Sequence, residues 1–348
     1  MGSVMPKSIL YPISLSVNVT RKKSSWDPKI PISSWNEKET LDGKEVVSRT
    51  IILMTRGCSW ARKLGCSMCG YTNDSIDVDL SLEDLMNQVD EGLKGGDHGE
   101  YIKIFTSGSF LDDREIENGI ALEMISYLDE KAPDARILIE SRPEYVDENL
   151  IGGLKDRHSN IEIAIGLEDG DDAVRSQLIR KGFTYEQYME AGRLLKREGV
   201  HIKTYLLLKP PFLGEGDSIE KTLLSIEKVH NDFSGSTISV NPMNIQSNTP
   251  VENMYKRGIY RPPWLWSLLE VLGRGHDLTA GETRLMSSPT AGGKKRGAHN
   301  CGNCDTEILK AIDEYSLKGS KGILETDIDC CKENWIAHLR GSRFDPTL

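Results

Sequence analysis

Short apolar runs alternate with longer amphipathic stretches through the middle of this 348-residue chain. Each run is rich in isoleucine, leucine or valine and predicts one strand. The six predicted strands are 50–55, 101–108, 136–142, 161–168, 201–209 and 236–242. The intervening stretches predict helices at 81–94, 114–130, 184–198 and 217–229, and the first begins with Ser81 and Asp84 at capping-box spacing.

Strands that alternate with helices predict βα units around a parallel sheet. Six strands are fewer than the eight of a closed barrel, so the pattern favours an open, partial (β/α)6 barrel, with a doubly wound sheet as the competing α/β fold. We expect residues 1–47 to form an N-terminal extension, 48–245 the barrel, and 246–348 a C-terminal extension with a small metal-binding module. Most predicted strands end in polar or glycine residues, which predicts a reaction face at that end of the barrel.

Composition narrows the class of protein. Hydrophobic residues make up 38% and charged residues 28%, and no apolar run is long enough to span a bilayer. The N-terminus lacks the pattern of a signal peptide, so we expect a cytoplasmic protein with no membrane partner. A formal net charge of -10 argues against generic nucleic-acid binding. Local basic patches remain at 21–23 and 294–296.

Seven cysteines form two clusters, a pattern that favours metal ligation over disulfides. Cys58, Cys66 and Cys69 follow the first predicted strand and therefore lie at the barrel mouth. A closed structural zinc site needs four ligands, whereas three thiolates on a four-iron cluster leave one iron open. The residues alone leave two alternatives, an open iron-sulfur cluster or a zinc site completed by a remote ligand.

The order Cys58-x7-Cys66-x2-Cys69 resembles the signature of radical S-adenosylmethionine (SAM) enzymes in a spaced-out form. The usual first gap of that superfamily is three residues, and Met68 replaces its usual aromatic residue. The resemblance implies that these cysteines hold a 4Fe-4S cluster, whose fourth iron binds the amino and carboxylate groups of SAM.

The other strand ends extend the resemblance. "TSGSF", with Thr106, Ser107, Gly108 and Ser109, resembles the motif that holds the methionine amino group of SAM. "ESRPEYV", with Glu140 and Arg142, resembles a stretch of enzymes related to the Elongator catalytic subunit, and Gly166 and Glu168 fall where those relatives pass the adenosine. Arg175 and Arg180 are candidates for the cofactor carboxylate, and Arg175 alternatively is a surface charge.

The second cluster contains His299, Cys301, Cys304, Cys330 and Cys331, and its spacing is typical of tetrahedral zinc. We expect zinc bound by four of these five residues, with only one ligand from the adjacent pair, and a second iron-sulfur cluster as the rival. Such a site would fix the C-terminal segment against the barrel.

The stretches "IFTSGSFLD", "ESRPEYV", "LLLKPPFL", "YRPPWLWS" and "SSPTAGGKKRGAHNC" resemble the family of radical subunits of archaeal archaeosine synthase. The resemblance implies C-N bond cleavage in the lysine adduct on a deazaguanine base at tRNA position 15, leaving archaeosine. The implied partners are this tRNA, the lysine-transferring subunit and an electron donor.

Two other functions stay open at this point. One is an Elongator-like radical enzyme acting on another tRNA base, which we disfavour because the chain ends shortly after Cys331, without the acetyltransferase domain of those proteins. The other is a non-catalytic metal-binding adaptor for RNA. Candidate RNA or partner contacts are Arg257, Arg261, Lys294, Lys295 and Arg296, while Trp264 and Trp266 either stack on bases or pack the C-terminal segment.

Overall fold

The structure is a computed structural model and describes residues 27–95 and 99–341. The basic run 21–23 and the N-terminal stretch considered for a signal peptide lie outside the described residues. In the described part of the chain, no helix has the length and apolar character needed to cross a membrane.

Eight strands form one sheet in sequence order. They are β1 (Ser33–Leu41), β2 (Lys44–Ile52), β3 (Tyr101–Phe105), β4 (Arg136–Ser141), β5 (Ile161–Glu168), β6 (His201–Leu208), β7 (Thr237–Pro242) and β8 (Arg284–Met286). β1 and β2 form an antiparallel hairpin, and every later neighbour is parallel. The sheet curls into a half-barrel, and the predicted partial barrel is confirmed. The competing doubly wound fold would reverse its strand order at a switch point, which this sheet does not do.

Nine helices accompany the sheet among the described residues. They are α1 (Leu82–Leu93), α2 (Asn118–Lys131), α3 (Glu148–Arg157), α4 (Tyr185–Arg197), α5 (Glu215–Asp232), α6 (Pro250–Lys256), α7 (Leu265–Leu278), α8 (Asp305–Lys318) and α9 (Lys332–Gly341). The four predicted helices correspond to α1, α2, α4 and α5. The predicted capping box is also present, since Ser81 accepts from the backbone of Asp84 and Asp84 accepts from that of Ser81.

Alternation along each strand separates the helix-facing side of the sheet from the barrel interior. In β3, Ile102 and Ile104 are fully buried in the main core with the helices. Tyr101 joins a separate interior cluster with Leu138 and Ala164. Because the interior set is less apolar than the outer set, the inside of the barrel can hold polar groups.

Charged side chains occupy part of the barrel interior. Lys103 forms ion pairs with Glu37 and Glu39 of β1, and Lys103 and Glu39 are both buried. Burial would raise the pKa of Glu39, but the charges of Lys203 and Lys103 hold it below its usual range. These pairs and the Tyr101 cluster therefore fill the inside of the sheet and leave room near the strand ends.

The last interior positions of the strands are partly exposed, unlike the residues before them. They are Phe105, Glu140, Gly166, Tyr205 and Asn241. Parallel strands place their carboxyl ends at one edge of the sheet, so these residues line a shared mouth.

Parts of both predicted extensions belong to the sheet. β1 and the start of β2 lie before residue 48, and β8 pairs with β7 although it lies beyond residue 245. α8 contacts both edge strands. Thr40 donates to the carbonyl of Leu317, and the backbone N-H of Ser287 donates to the Ser316 hydroxyl at 3.0 Å. α8 therefore lies across the gap between β1 and β8.

A π-helical turn, Val174–Ile179, follows β5. It contains Arg175, which is fully buried, donates to the backbone carbonyl of Asp169 and pairs with Asp172. The guanidinium also lies 5.8 Å from the Phe183 ring and 5.7 Å from the Tyr185 ring. Arg175 is thus neither a surface charge nor directed to a cofactor, because its donors already bind this turn.

We expect Arg175→Met to lower the free energy of unfolding by about 2 kcal/mol or more, because it removes a buried donor from the Asp169 carbonyl. Urea denaturation measures this. The control Arg193→Met removes an exposed arginine that pairs with Glu186, and should change stability by no more than about 0.5 kcal/mol. Equal effects of the two substitutions would contradict a structural role for Arg175.

Candidate active site

The loop after β2 carries the first three cysteines and is fastened to other parts of the mouth. The backbone N-H of Ser67 donates to the carbonyl of Ile179 at 2.8 Å. The indole N-H of Trp60 donates to the carbonyl of Arg180 at 2.9 Å. At the far end of the loop, the N-H of Gly70 donates to Gln246 Oε1 at 2.5 Å. Segments beyond β5 and β7 therefore position the cysteine loop.

Cys58, Cys66 and Cys69 are close enough for each thiol to influence the others electrostatically. Burial raises the pKa of Cys58 and of Cys66, and raises that of Cys69 to about 12. A thiol in such a site becomes a thiolate when cations compensate its charge, as metal binding does.

The spacing of the three sulfur atoms fits an extended metal cluster. Among the residues that the structure describes, ligand atoms lie within single-ion distance of one another in one group, and that group is in the C-terminal segment. The three mouth cysteines therefore lack both the close spacing and the fourth ligand of a closed zinc site. A four-iron cluster suits them, since it spreads its thiolates over separate irons and needs one position without a protein ligand.

The loop after β3 lies directly against Cys58. A Cβ atom on Gly108 would lie 2.5 Å from the Cys58 Cα and would overlap the Glu115 carboxylate. Glu115 accepts from the Thr55 hydroxyl at 2.5 Å and from the backbone N-H of Ser109 at 2.6 Å, and burial raises its pKa to about 7. Glu115 thus joins the two loops from beneath, a role that its place between motifs did not signal.

The remaining residues of this loop are mostly buried. Thr106 Oγ1 accepts from the N-H of Gly108 at 3.1 Å, and the hydroxyl of Ser109 accepts from the N-H of Arg142 at 3.2 Å. Ser107 is 5% exposed. Internal hydrogen bonds therefore fix the backbone of the predicted SAM-binding loop.

Glu140 and Arg142, both predicted to bind the cofactor, have different surroundings. Glu140 is partly exposed at the mouth, and burial raises its pKa to about 7 against the opposing influence of Tyr205 and Lys203. The Arg142 guanidinium lies between two aromatic rings, 5.2 Å from that of Trp60 and 5.3 Å from that of Phe183. Arg142 therefore holds the cysteine loop against the segment after β5.

Gly166 and Glu168 end β5 beside a residue that the sequence motifs did not identify. Lys181 Nζ pairs with Glu168 Oε1 at 2.7 Å. A Cβ atom on Gly166 would lie 2.8 Å from Lys181 Nζ, so the glycine makes room for this pair. Although burial alone would lower it, the charges of Glu168 and Cys66 raise the pKa of Lys181. Lys181 is therefore a fixed cation close to the cysteines.

Two further residues change the predicted picture of the mouth. Arg180, predicted to bind the cofactor, adopts a left-handed backbone conformation with φ 59° and lines an apolar pocket with Leu64 and Phe212. Tyr71, which sequence reasoning missed, is 52% exposed and lies near Glu140 and Cys69. Its position directly after the CxxC-Gly turn was the available signal.

In the C-terminal segment, four cysteines come together: Cys301, Cys304, Cys330 and Cys331. The expectation of one ligand from the adjacent pair differs from this geometry, because Cys330 and Cys331 lie in a turn before α9 that brings both sulfur atoms to the group. His299 lies outside the group, and its Nδ1 is 2.8 Å from the carbonyl of Gly297.

Comparison with known proteins agrees with this arrangement. A model of the radical SAM superfamily matches residues 52–224. Among solved structures, methylornithine synthase superposes with a TM-score of 0.51 at 17% identity, covering 68% of this chain and 63% of that one. Methanocaldococcus infernus Elp3 superposes with a TM-score of 0.50 at 18% identity, covering 67% and 59%. The aligned part is less than two thirds of each of those structures, and both likenesses concern the fold.

The fold, the superfamily match and the open thiol site define a radical SAM enzyme, a class that uses a 4Fe-4S cluster and SAM. Archaeosine synthase subunit beta of Methanosarcina acetivorans is 37% identical over 310 residues, which cover 88% of each chain. The same subunit of Thermococcus kodakarensis is 35% identical over 311 residues, covering 86% of this chain and 94% of that one. The chain belongs to the archaeosine synthase subunit beta family.

We expect Gly108→Ala to lower the iron and sulfide content after anaerobic reconstitution, because the added methyl group would displace either the Cys58 backbone or Glu115. Gly119→Ala is the matched control, since a Cβ there meets nothing within 4 Å. The control should bind iron like the wild type and be stabilised by roughly 0.4–1 kcal/mol. Normal iron content in folded Gly108→Ala protein would contradict the tight contact between the two loops.

Proposed function

We propose that this protein is the radical subunit that converts a lysine-modified deazaguanine base at tRNA position 15 into archaeosine, by cleaving a C-N bond of the lysine moiety. The observation that carries the proposal is the 37% and 35% identity to two archaeosine synthase beta subunits, which extends over most of each chain. The open thiol site at the barrel mouth supports it, because cleavage beside unactivated C-H bonds needs cofactor chemistry rather than an acid-base pair.

In this proposal Cys58, Cys66 and Cys69 hold the 4Fe-4S cluster. When bound, the cluster and SAM together supply the radical that removes a hydrogen atom from the substrate. The loop from Thr106 to Ser109, together with Glu140 and Gly166, lines the site for SAM. The cofactor role of Arg180 stays a prediction.

Lys181 is suited to an anionic group such as the SAM carboxylate, because its ammonium group is fixed by Glu168 next to the cysteines. Arg142 contributes indirectly by holding the cysteine loop in place. Tyr71, Phe105 and Tyr205 provide an aromatic lining at the mouth that can exclude water from the reacting atoms.

The test is an anaerobic assay with reconstituted protein, SAM, a low-potential electron donor and tRNA that carries the lysine adduct. We expect archaeosine to appear in the digested tRNA by mass spectrometry while the lysine adduct disappears. Cys66→Ala should abolish both SAM cleavage and archaeosine formation, whereas Gly119→Ala should retain them.

The outcomes separate the alternatives. Wild-type protein that cleaves SAM but leaves the lysine adduct intact would contradict the proposed substrate. A product on tRNA without the adduct would favour an Elongator-like enzyme. Protein that takes up no iron and leaves SAM intact would favour the non-catalytic adaptor.

We further propose that the basic loop 294–296 and the end of α6 contact the tRNA. Arg296 Nε donates to the carbonyl of Ile245 at 3.0 Å, and the N-H of Ile245 donates to the Arg296 carbonyl at 2.7 Å. The next residue, Gln246, accepts from Gly70 of the cysteine loop. The loop therefore lies beside the mouth, where Lys294 and Lys295 are exposed.

Other residues considered for RNA contact have structural partners. Arg261 donates to the carbonyl of His299 at 2.9 Å and stacks on Trp264, with 4.0 Å between the guanidinium carbon and the ring centre. Trp266 is buried and donates to Cys331. Exposed Arg257, at the end of α6, stays a candidate for phosphate contact.

We expect Lys294→Ala/Lys295→Ala to weaken tRNA binding roughly tenfold and to reduce the salt dependence of the affinity by about one unit per lost phosphate contact. Filter binding at several salt concentrations measures both. The control Lys44→Ala/Lys196→Ala removes two exposed lysines near the opposite end of the barrel and should bind like the wild type. Equal weakening by both pairs would show a general charge effect and contradict a local contact.

A further inference from the structure

Four sulfur atoms in the C-terminal segment have the spacing of a single-ion site. All lie within 4.8 Å of one another. The separations are 3.9 Å for Cys301 and Cys304, 3.5 Å for Cys301 and Cys330, and 3.7 Å for Cys304 and Cys331. A zinc-sulfur bond of about 2.3 Å places tetrahedral ligands about 3.8 Å apart. These distances fit one ion, whereas a four-iron cluster spreads its thiolates further.

The chain places these sulfur atoms at the starts of two helices. Cys304 is the N-cap residue of α8, and Cys330 and Cys331 directly precede α9. Four thiolates around a divalent ion carry two net negative charges, and helix N-termini stabilise negative charge. Both helix starts therefore favour the charged, metal-bound form of the group.

Buried donors support two of the four sulfur atoms. The indole N-H of Trp266 donates to Cys331 Sγ at 3.2 Å, and Asn300 Nδ2 donates to Cys304 Sγ at 3.4 Å. Asn300 is itself fixed, because its N-H donates to Asp305 Oδ1 at 2.9 Å. Such donors around the ligands orient thiolates in metal sites. Cys304 and Cys331 are buried while Cys301 and Cys330 are exposed, which gives an ion a route of entry.

The group connects to both edges of the barrel through α8. This helix begins at Cys304, and its last turn is hydrogen-bonded to Thr40 of β1 and to Ser287 after β8. An ion at the start of α8 would therefore fix a helix that lies across the gap in the sheet.

α9 leads from the same group to the end of β6. Trp335 donates to the Ser267 hydroxyl at 2.9 Å, and Ser267 donates to Glu215 Oε1 at 2.5 Å. Glu215 Oε2 pairs with Lys209 Nζ at 2.6 Å, and Lys209 follows β6 with a left-handed φ of 62°. A buried chain of contacts thus connects α9 with a strained residue at the mouth.

We propose that Cys301, Cys304, Cys330 and Cys331 bind one zinc ion in a closed tetrahedral site, and that this ion holds α8 across the gap between β1 and β8. Thiolates also bind copper(I) and iron, but four of them at tetrahedral spacing suit zinc. The site leaves no position for a substrate, so its role is structural and separate from the radical site.

Metal analysis of the anaerobically purified full chain tests the ligand set. We expect about one zinc per chain, lost in Cys304→Ser and in Cys331→Ser and retained in the matched control His299→Ala. If the buried variants do not fold, Cys301→Ser, which alters an exposed ligand, should bind zinc more weakly in a competition with a chelating dye. Full zinc retention in Cys301→Ser, loss in His299→Ala, or iron in place of zinc would overturn the proposal.

Hydrogen exchange tests the structural role on the wild-type protein. Release of zinc with a thiol-modifying mercurial should increase exchange in α8, α9 and β8 at least tenfold, while α2 and α3 stay protected. Cobalt substitution of the zinc-free protein should give the intense charge-transfer and visible bands of a four-thiolate site. Unchanged exchange in α8 after zinc release would contradict the structural role, even if zinc is bound.

Discussion

The loops after β2 and β3 approach so closely that residue 108 has room for no side chain. This contact sets the position of Cys58, and Glu115 secures it from beneath through Thr55 and Ser109. Trp60, Ser67 and Gly70 fasten the rest of the loop to segments after β5 and β7. The loop has little regular structure, yet the barrel determines where its three thiols lie.

The six central strands could be predicted because their alternation is strong. Isoleucine and leucine point to the helices, while polar and aromatic residues point inward, and this difference is written in the order of residues. β1 and β8 were not predicted. β1 carries charged residues on an edge strand and β8 has three residues, so each depends on pairing with a neighbour that local sequence cannot reveal.

The positions of Gly108, Glu140 and Glu168 could be predicted because strand ends of a parallel sheet converge. Lys181 and Arg175 could not. An α-helical spacing was assumed after β5, whereas the π-helical turn adds residues per turn and changes which side chains face the mouth. The adjacent cysteines show the same limit, since an extended chain would point Cys330 and Cys331 apart and the turn before α9 does not.

The position of α8 across both sheet edges has a consequence during synthesis. β1 is made early, but its partner residue Leu317 leaves the ribosome 277 residues after Thr40. At the usual rate of translation, the stretch from β8 to the end of α8 takes a few seconds to appear. During that interval both edges of the sheet expose unpaired backbone groups, which can pair with other chains. Nascent chains stalled before α8 should therefore be the most prone to aggregate.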